Sequence, residues 1–181
     1  MKSLVLLFSL FFELSLWAAP HPATSTSFVL GTESGRYFSE HGFKVSLGSS
    51  GWEQTSAPTQ FKNIEIIYRG VRAEPHLPPP SLTVRRDQLK KTTSLKSYIR
   101  KWMKDYHRFG FDILASQKVK VGSNTAYMLD LVHAETENQL RQVVFLRKRN
   151  AVILTCRDKK QAFLSSLKAC NKIVRSFRWT L

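Results

Sequence analysis

Eight basic residues crowd into two adjoining clusters midway along the chain. Arg85, Arg86, Lys90 and Lys91 form the first, and Lys96, Arg100, Lys104 and Arg108 recur at four-residue spacing to form the second. Cations so spaced share one face of a helix, where they can hold phosphates or carboxylates through charge-assisted hydrogen bonds. A third cluster, Arg147, Lys148 and Arg149, falls where a hairpin tip is expected. The plainer reading of such runs is a solvated helix face. The chain as a whole carries 28 Lys and Arg against 13 Asp and Glu, a formal net charge of +15. That balance favours anionic partners, with solubility alone as its competing explanation.

Other chemistry-bearing residues form weaker patterns. His21, His41, His76, His107 and His133 contain no His-x-x-x-His pair and none stands near a cysteine at zinc-site spacing, so no metal is expected. No Gly-x-Ser-x-Gly elbow is present, and Gly48-Ser49-Ser50-Gly51 reads as a loop rather than a nucleophile turn. No glycine-rich phosphate loop sits at a strand-to-helix junction, so no nucleotide cofactor is expected. Asp130, Glu135 and Glu137 lie on or beside one strand and are read as ion-pair partners. The enzyme alternative is a small exported hydrolase whose site would have to gather His41, His133, Asp130 and a serine from separate loops.

Cys156 and Cys170 are the two cysteines. In an oxidising compartment such a pair forms a bridge, and nothing resembles the Cys-x-x-Cys of a redox-active site. Against a bridge, Cys156 reads as the end of a strand and Cys170 as well inside the next helix, which would carry it away. Two packed thiols are the alternative.

The compartment is read from the N-terminus. Lys2, the apolar run Leu4–Phe12 and the small residues closing at Ala19 have the order of a secretory signal peptide over residues 1–18. Glu13 and the short run fall below what a spanning helix needs. An uncleaved anchor is the alternative. Residues 19–36, rich in Pro, Ser and Thr, read as a flexible leader, and 37–181 as one domain. Localisation is therefore expected to be periplasmic or secreted.

Alternation and turn residues place the elements that must position these groups. Strands are expected around Phe43–Leu47, Phe61–Arg69 and Ser81–Arg86, with a stiff proline segment over Arg72–Pro80. A helix is expected from Thr93 or Ser94 to Phe109, closed by Gly110. Its apolar face is Leu95, Tyr98, Ile99, Trp102, Met103, Tyr106 and Phe109. Four strands follow, Ile113–Val121, Thr125–His133, Leu140–Arg147 and Ala151–Cys156, joined by connections short enough for an antiparallel meander. Asp158 is expected to cap a last helix buried through Phe163, Leu167, Cys170 and Val174. The fold class is α+β, a mostly antiparallel sheet of about six strands flanked by helices.

The order of these landmarks resembles the PsbP-like (DcrB-like) fold group of exported accessory proteins. The matching features are Phe43–Leu47 running into Gly51-Trp52, the helix opening Ser94-Leu95-Lys96-Ser97-Tyr98, and the Val121-Gly122 turn into Ala126-Tyr127. Ile153-Leu154-Thr155 and the ending Ile173-Val174-Arg175-Ser176-Phe177 complete the set, which spans roughly residues 40–179. The resemblance implies a PsbP-like sandwich and an accessory or binding role without catalysis. It implies no ligand and carries over no functional residue. Together with the charge, it points to a non-catalytic protein binding a protein partner or an anionic envelope component through Arg85, Arg86, Lys90, Lys91, Lys96, Arg100, Lys104 and Arg108. Nucleic acid is disfavoured, because the aromatics of the long helix lie opposite its lysines and offer no stacking platform.

Overall fold

Alternating apolar residues force this chain into two sheets with a helix on each face of the larger one. The computed structural model describes residues 32–180, apart from 34, 58, 59, 73 and 75. The segment expected as a signal peptide lies outside the described residues, as does most of the expected leader. The smaller sheet comprises β1 (Thr32–Glu33), β2 (Arg36–Ser39), β3 (Phe43–Ser46) and β11 (Arg178–Trp179), in that order across the sheet. The larger comprises β4 (Glu53–Thr55), β5 (Ile64–Arg69), β6 (Ser81–Gln88), β7 (Phe111–Val121), β8 (Asn124–His133), β9 (Asn138–Arg147) and β10 (Asn150–Lys159). Its order is β4-β5-β6-β10-β9-β8-β7, antiparallel throughout. The α+β class and the meander from β7 to β10 are as expected. The additional strands are short, two to four residues each, and too brief to show a period of two.

The central strands are buried on both sides, so each carries two apolar sets. Val152, Leu154 and Cys156 of β10 join Phe145, Ile66, Tyr68 and Leu82 in a core beneath α2 (Phe163–Arg175) and the small sheet. Ala151 and Ile153 of the same strand face the other way. They meet Leu129, Leu131 and Val144 beneath α1 (Leu95–Met103).

Three local expectations are corrected. First, the helix that opens at Ser94 stops at Met103, six residues early. Ser94 caps it, its hydroxyl accepting from the Ser97 N–H at 3.1 Å. The chain then tightens through a 3-10 turn at His107–Phe109, because Tyr106 must turn inward. Its hydroxyl reaches Gln142 Oε1 at 2.6 Å and its carbonyl accepts the Phe111 N–H that starts β7. An α-helix continued to Phe109 would run roughly 4.5 Å past Tyr106 at about 1.5 Å per residue. Phe109 is consequently 58% exposed and Trp102 only partly buried. Gly110 does close the segment, in the left-handed region at φ 75°, and a Cβ there would also press on the His133 ring at 3.0 Å.

Second, Asp158 caps nothing. β10 runs on to Lys159, Asp158 is buried against Arg72, and α2 starts after Ala162 without a side-chain cap.

Third, that extension of β10 removes the objection to the disulfide. Cys156 lies three residues before the strand end and Cys170 seven residues into the helix. At about 3.3 Å per strand residue and about 1.5 Å per helix residue, both stand roughly 10 Å from the turn. A helix folding straight back therefore brings them level, and they are bonded with Cα atoms 6.2 Å apart. Replacing both cysteines by alanine should remove about 3 kcal/mol by the loop-closure argument for a 15-residue loop. Guanidinium unfolding of the oxidised protein, the reduced protein and the double variant measures it. Equal midpoints for all three would show that the bridge contributes nothing.

Candidate functional site

The eight predicted basic residues part company in three dimensions. Arg85 and Arg86 are neighbours on β6 and so point to opposite faces of the sheet. Arg85 faces α1, with its Nε 3.2 Å from Asp87 Oδ1 and its guanidinium 4.8 Å from the Trp102 ring centre. Asp87 also accepts from the Tyr98 hydroxyl. Arg85 thus buttresses the helix instead of presenting a free charge. Arg86 lies on the opposite face, where its Nε donates to Glu65 Oε1 on the neighbouring β5 at 3.2 Å and its Nη1 to Gln88 Oε1 at 3.0 Å.

The other six remain at the surface. Lys90 and Lys91 lie in the lead-in to α1, Lys96 and Arg100 on its exposed face, Lys104 just beyond its end, and Arg108 in the 3-10 turn. Lys101, absent from the predicted set, is exposed on the same helix. Among the described residues, Arg108 meets a carboxylate, Asp105 at 3.7 Å, and the remaining five and Lys101 form no ion pair. α1 has no acidic residue in its first turn. The result is a cationic ridge with its apolar side, Tyr98 and Ile99, sealed against the sheet.

A second polar group centres on Glu65. Its Oε2 accepts from the Tyr37 hydroxyl at 2.7 Å and the Ser39 hydroxyl at 3.1 Å, and its Oε1 takes Arg86. His41 Nε2 stands 3.6 Å from that carboxylate and 3.3 Å from Glu40. Burial first, then the hydrogen bond and charge of Glu65, push the Tyr37 hydroxyl well above its ordinary range, so it stays a neutral donor. With its acceptors occupied, Glu65 ties β2 to the large sheet. Next to it, His41, Arg147, Lys148, Asn150 and Trp179 line a cavity of about 340 Å³ between two hairpins. The third sequence cluster ends there, with the Arg147 guanidinium 5.9 Å from the Trp179 ring centre.

His41, His133 and Asp130 are held by separate partners. Asp130 accepts from Arg141 Nε and Nη2 at 2.7 and 2.8 Å, and that pairing raises the guanidinium above its ordinary value. His133 stands edge-on to Phe111 at 4.8 Å, and its Nδ1 accepts the Thr136 N–H at 3.3 Å. None of the three contacts another through these groups, and the serine beside His41, Ser39, accepts its backbone N–H at 3.2 Å while its own hydroxyl donates to Glu65. Sequence reasoning missed the Arg86 ion pair because Glu65 comes from a separate strand, β5, whereas Asp87, the partner of Arg85, stands two residues along the same strand. Strand alternation did carry one usable signal, since adjacent strand residues cannot share a face.

No family model matches the chain, and no curated protein matches it in sequence. Solved structures do match. CyanoP, the cyanobacterial PsbP of Synechocystis, superposes with a TM-score of 0.57 at 12% identity, covering 82% of this chain and 95% of that one. LpqN of Mycobacterium tuberculosis, involved in cell envelope biogenesis, gives 0.60 at 12% identity, covering 83% and 87%. PA94 of Pseudomonas aeruginosa, a protein of unknown function, gives 0.55 at 15% identity, covering 69% and 94%. At these identities the likeness establishes the fold, and the resemblance seen in the order of sequence landmarks holds at that level.

Proposed function

Starting from a chain with the PsbP-like fold, we propose that it is an exported, non-catalytic accessory protein whose cationic ridge binds an anionic component of the cell envelope. The observation that carries this reading is the ridge itself: Lys90, Lys91, Lys96, Arg100, Lys101 and Lys104 exposed together without ion pairs among the described residues. Unpaired cations in a row have no internal use and raise the local concentration of anions. The disulfide supports an oxidising compartment, where such bonds persist. The envelope role of LpqN, a protein of the same fold, supports the setting. No helix among the described residues is long and apolar enough to cross a membrane.

Attachment of this kind is screened by salt. Affinity for vesicles of anionic lipid, or for lipopolysaccharide, should fall about tenfold or more as ionic strength rises from about 50 to about 300 mM. Charge reversal at Lys96, Arg100 and Lys104 together should abolish it, while neutral vesicles should bind neither protein. Cosedimentation measures all of these. Binding that ignores both salt and charge reversal would refute the ridge as the attachment surface. An acidic protein partner is the second reading, and it would appear as salt-sensitive capture without vesicle binding.

A further inference from the structure

α1 covers only part of its face of the large sheet, and the uncovered part holds a row of polar residues set by strand register. Arg69 on β5 is paired with Ser81 on β6, and Ser81 is paired on its other side with Arg157 on β10. The row behind it is Ile67, Thr83 and Thr155. Partners in register share a face, so two guanidiniums flank one hydroxyl with a second hydroxyl behind. At about 4.8 Å between strands, the arginine Cα atoms stand roughly 10 Å apart. Side chains of that length can converge on a group seated over Ser81. Pro78 and Pro79 rim the space, a cavity of about 300 Å³.

The electrostatics of this cavity are one-sided. Arg69 and Arg157 are exposed and form no ion pair among the described residues. Asp158 borders the cavity, but its carboxylate is buried and held by Arg72. Glu53, across from Arg69 on β4, is exposed and forms no ion pair with it. A planar guanidinium fork on each side, with hydroxyl donors between, matches a tetrahedral oxyanion better than a single carboxylate.

We infer that Arg69, Ser81, Thr83 and Arg157 form a seat for one phosphate monoester group, distinct from the α1 ridge. The site grips a single group by geometry, whereas the ridge attracts anions by summed charge. The phosphate could arrive on a lipid headgroup or on a soluble ester.

Titration of the full chain with glycerol phosphate, followed by amide shifts at Ser81 and Thr83, tests the seat. Arg69→Gln and Arg157→Gln should each weaken binding about tenfold or more, as expected for losing a charged hydrogen-bonding partner. Arg157→Lys should recover only part of it. Lys96→Gln with Arg100→Gln should leave it unchanged, which separates this site from the ridge. Acetate should bind more weakly than the phosphate ester. If the arginine variants bind like the native protein, or acetate matches the ester, the seat is refuted. A parallel arm uses phosphatidic acid vesicles. Loss of vesicle binding in Arg157→Gln identifies a headgroup source, and loss confined to glycerol phosphate identifies a soluble one.

Discussion

Replacing Arg72 with alanine is expected to destabilise the protein by about 3–5 kcal/mol, because it strands a buried carboxylate. Asp158 has no exposed side-chain surface and Arg72 only 9%. One carboxylate oxygen takes the arginine Nη2 and the Lys159 N–H, and the other finds no partner among the described residues. The pair fastens the connection between β5 and β6 across the end of β10. That connection is already closed at its base, where the Gly70 N–H donates to the Pro80 carbonyl at 2.9 Å. No side chain fits at Gly70, where a Cβ would lie 2.8 Å from both Trp52 and Pro80. Paired replacement, Arg72→Met with Asp158→Leu, should recover most of the loss, since apolar groups of similar volume substitute well for a buried ion pair. Urea unfolding of the three proteins decides it. A single variant within about 1 kcal/mol of the native protein would mean that the carboxylate is effectively solvated.

Truncating Phe177 to alanine should cost a comparable amount, about 3–5 kcal/mol on the large-to-small scale. Phe177 is fully buried. Its ring stacks on Phe145 at 3.9 Å, lies 5.9 Å from Phe43, and meets Trp179 edge-on at 5.1 Å. Those contacts join the large sheet, the small sheet and the end of the chain through one side chain. Phe109, which the helical spacing had grouped with the core, provides the contrast. At 58% exposure its replacement by alanine should stay within about 0.5 kcal/mol. Equal losses at the two positions, measured by the same denaturation, would contradict the packing described here.

The two faces of the fold account for how its properties divide. The α1 side carries the cationic ridge and, beyond the helix, the open row of Arg69, Ser81 and Arg157. The α2 side is sealed by the small sheet, the disulfide and the aromatic cluster around Phe177. Both sides hold buried contacts, and the Arg72–Asp158 pair borders the open row itself. Substitutions on the ridge should change attachment with little effect on unfolding, because surface charges far from partners contribute little to stability.

Local sequence alone determined the meander, the apolar stripe of α2 and a first-helix start at Thr93 or Ser94, because each depends on residues close together in the chain. Alternation along Thr125–His133 and Leu140–Arg147 needs no distant partner to be read. The spacing of charges named eight basic residues beside the first helix, of which six are exposed. Only the tertiary structure decided where that helix stops, since the stop depends on Tyr106 meeting Gln142 36 residues away. It decided the disulfide too, because whether Cys170 comes level with Cys156 depends on how far β10 extends before the chain turns. The division of Arg85 from Arg86, and the alignment of Arg69 with Arg157, belong to the same category. Strand register brings together residues that lie far apart in sequence, and no local pattern encodes which strands will be neighbours.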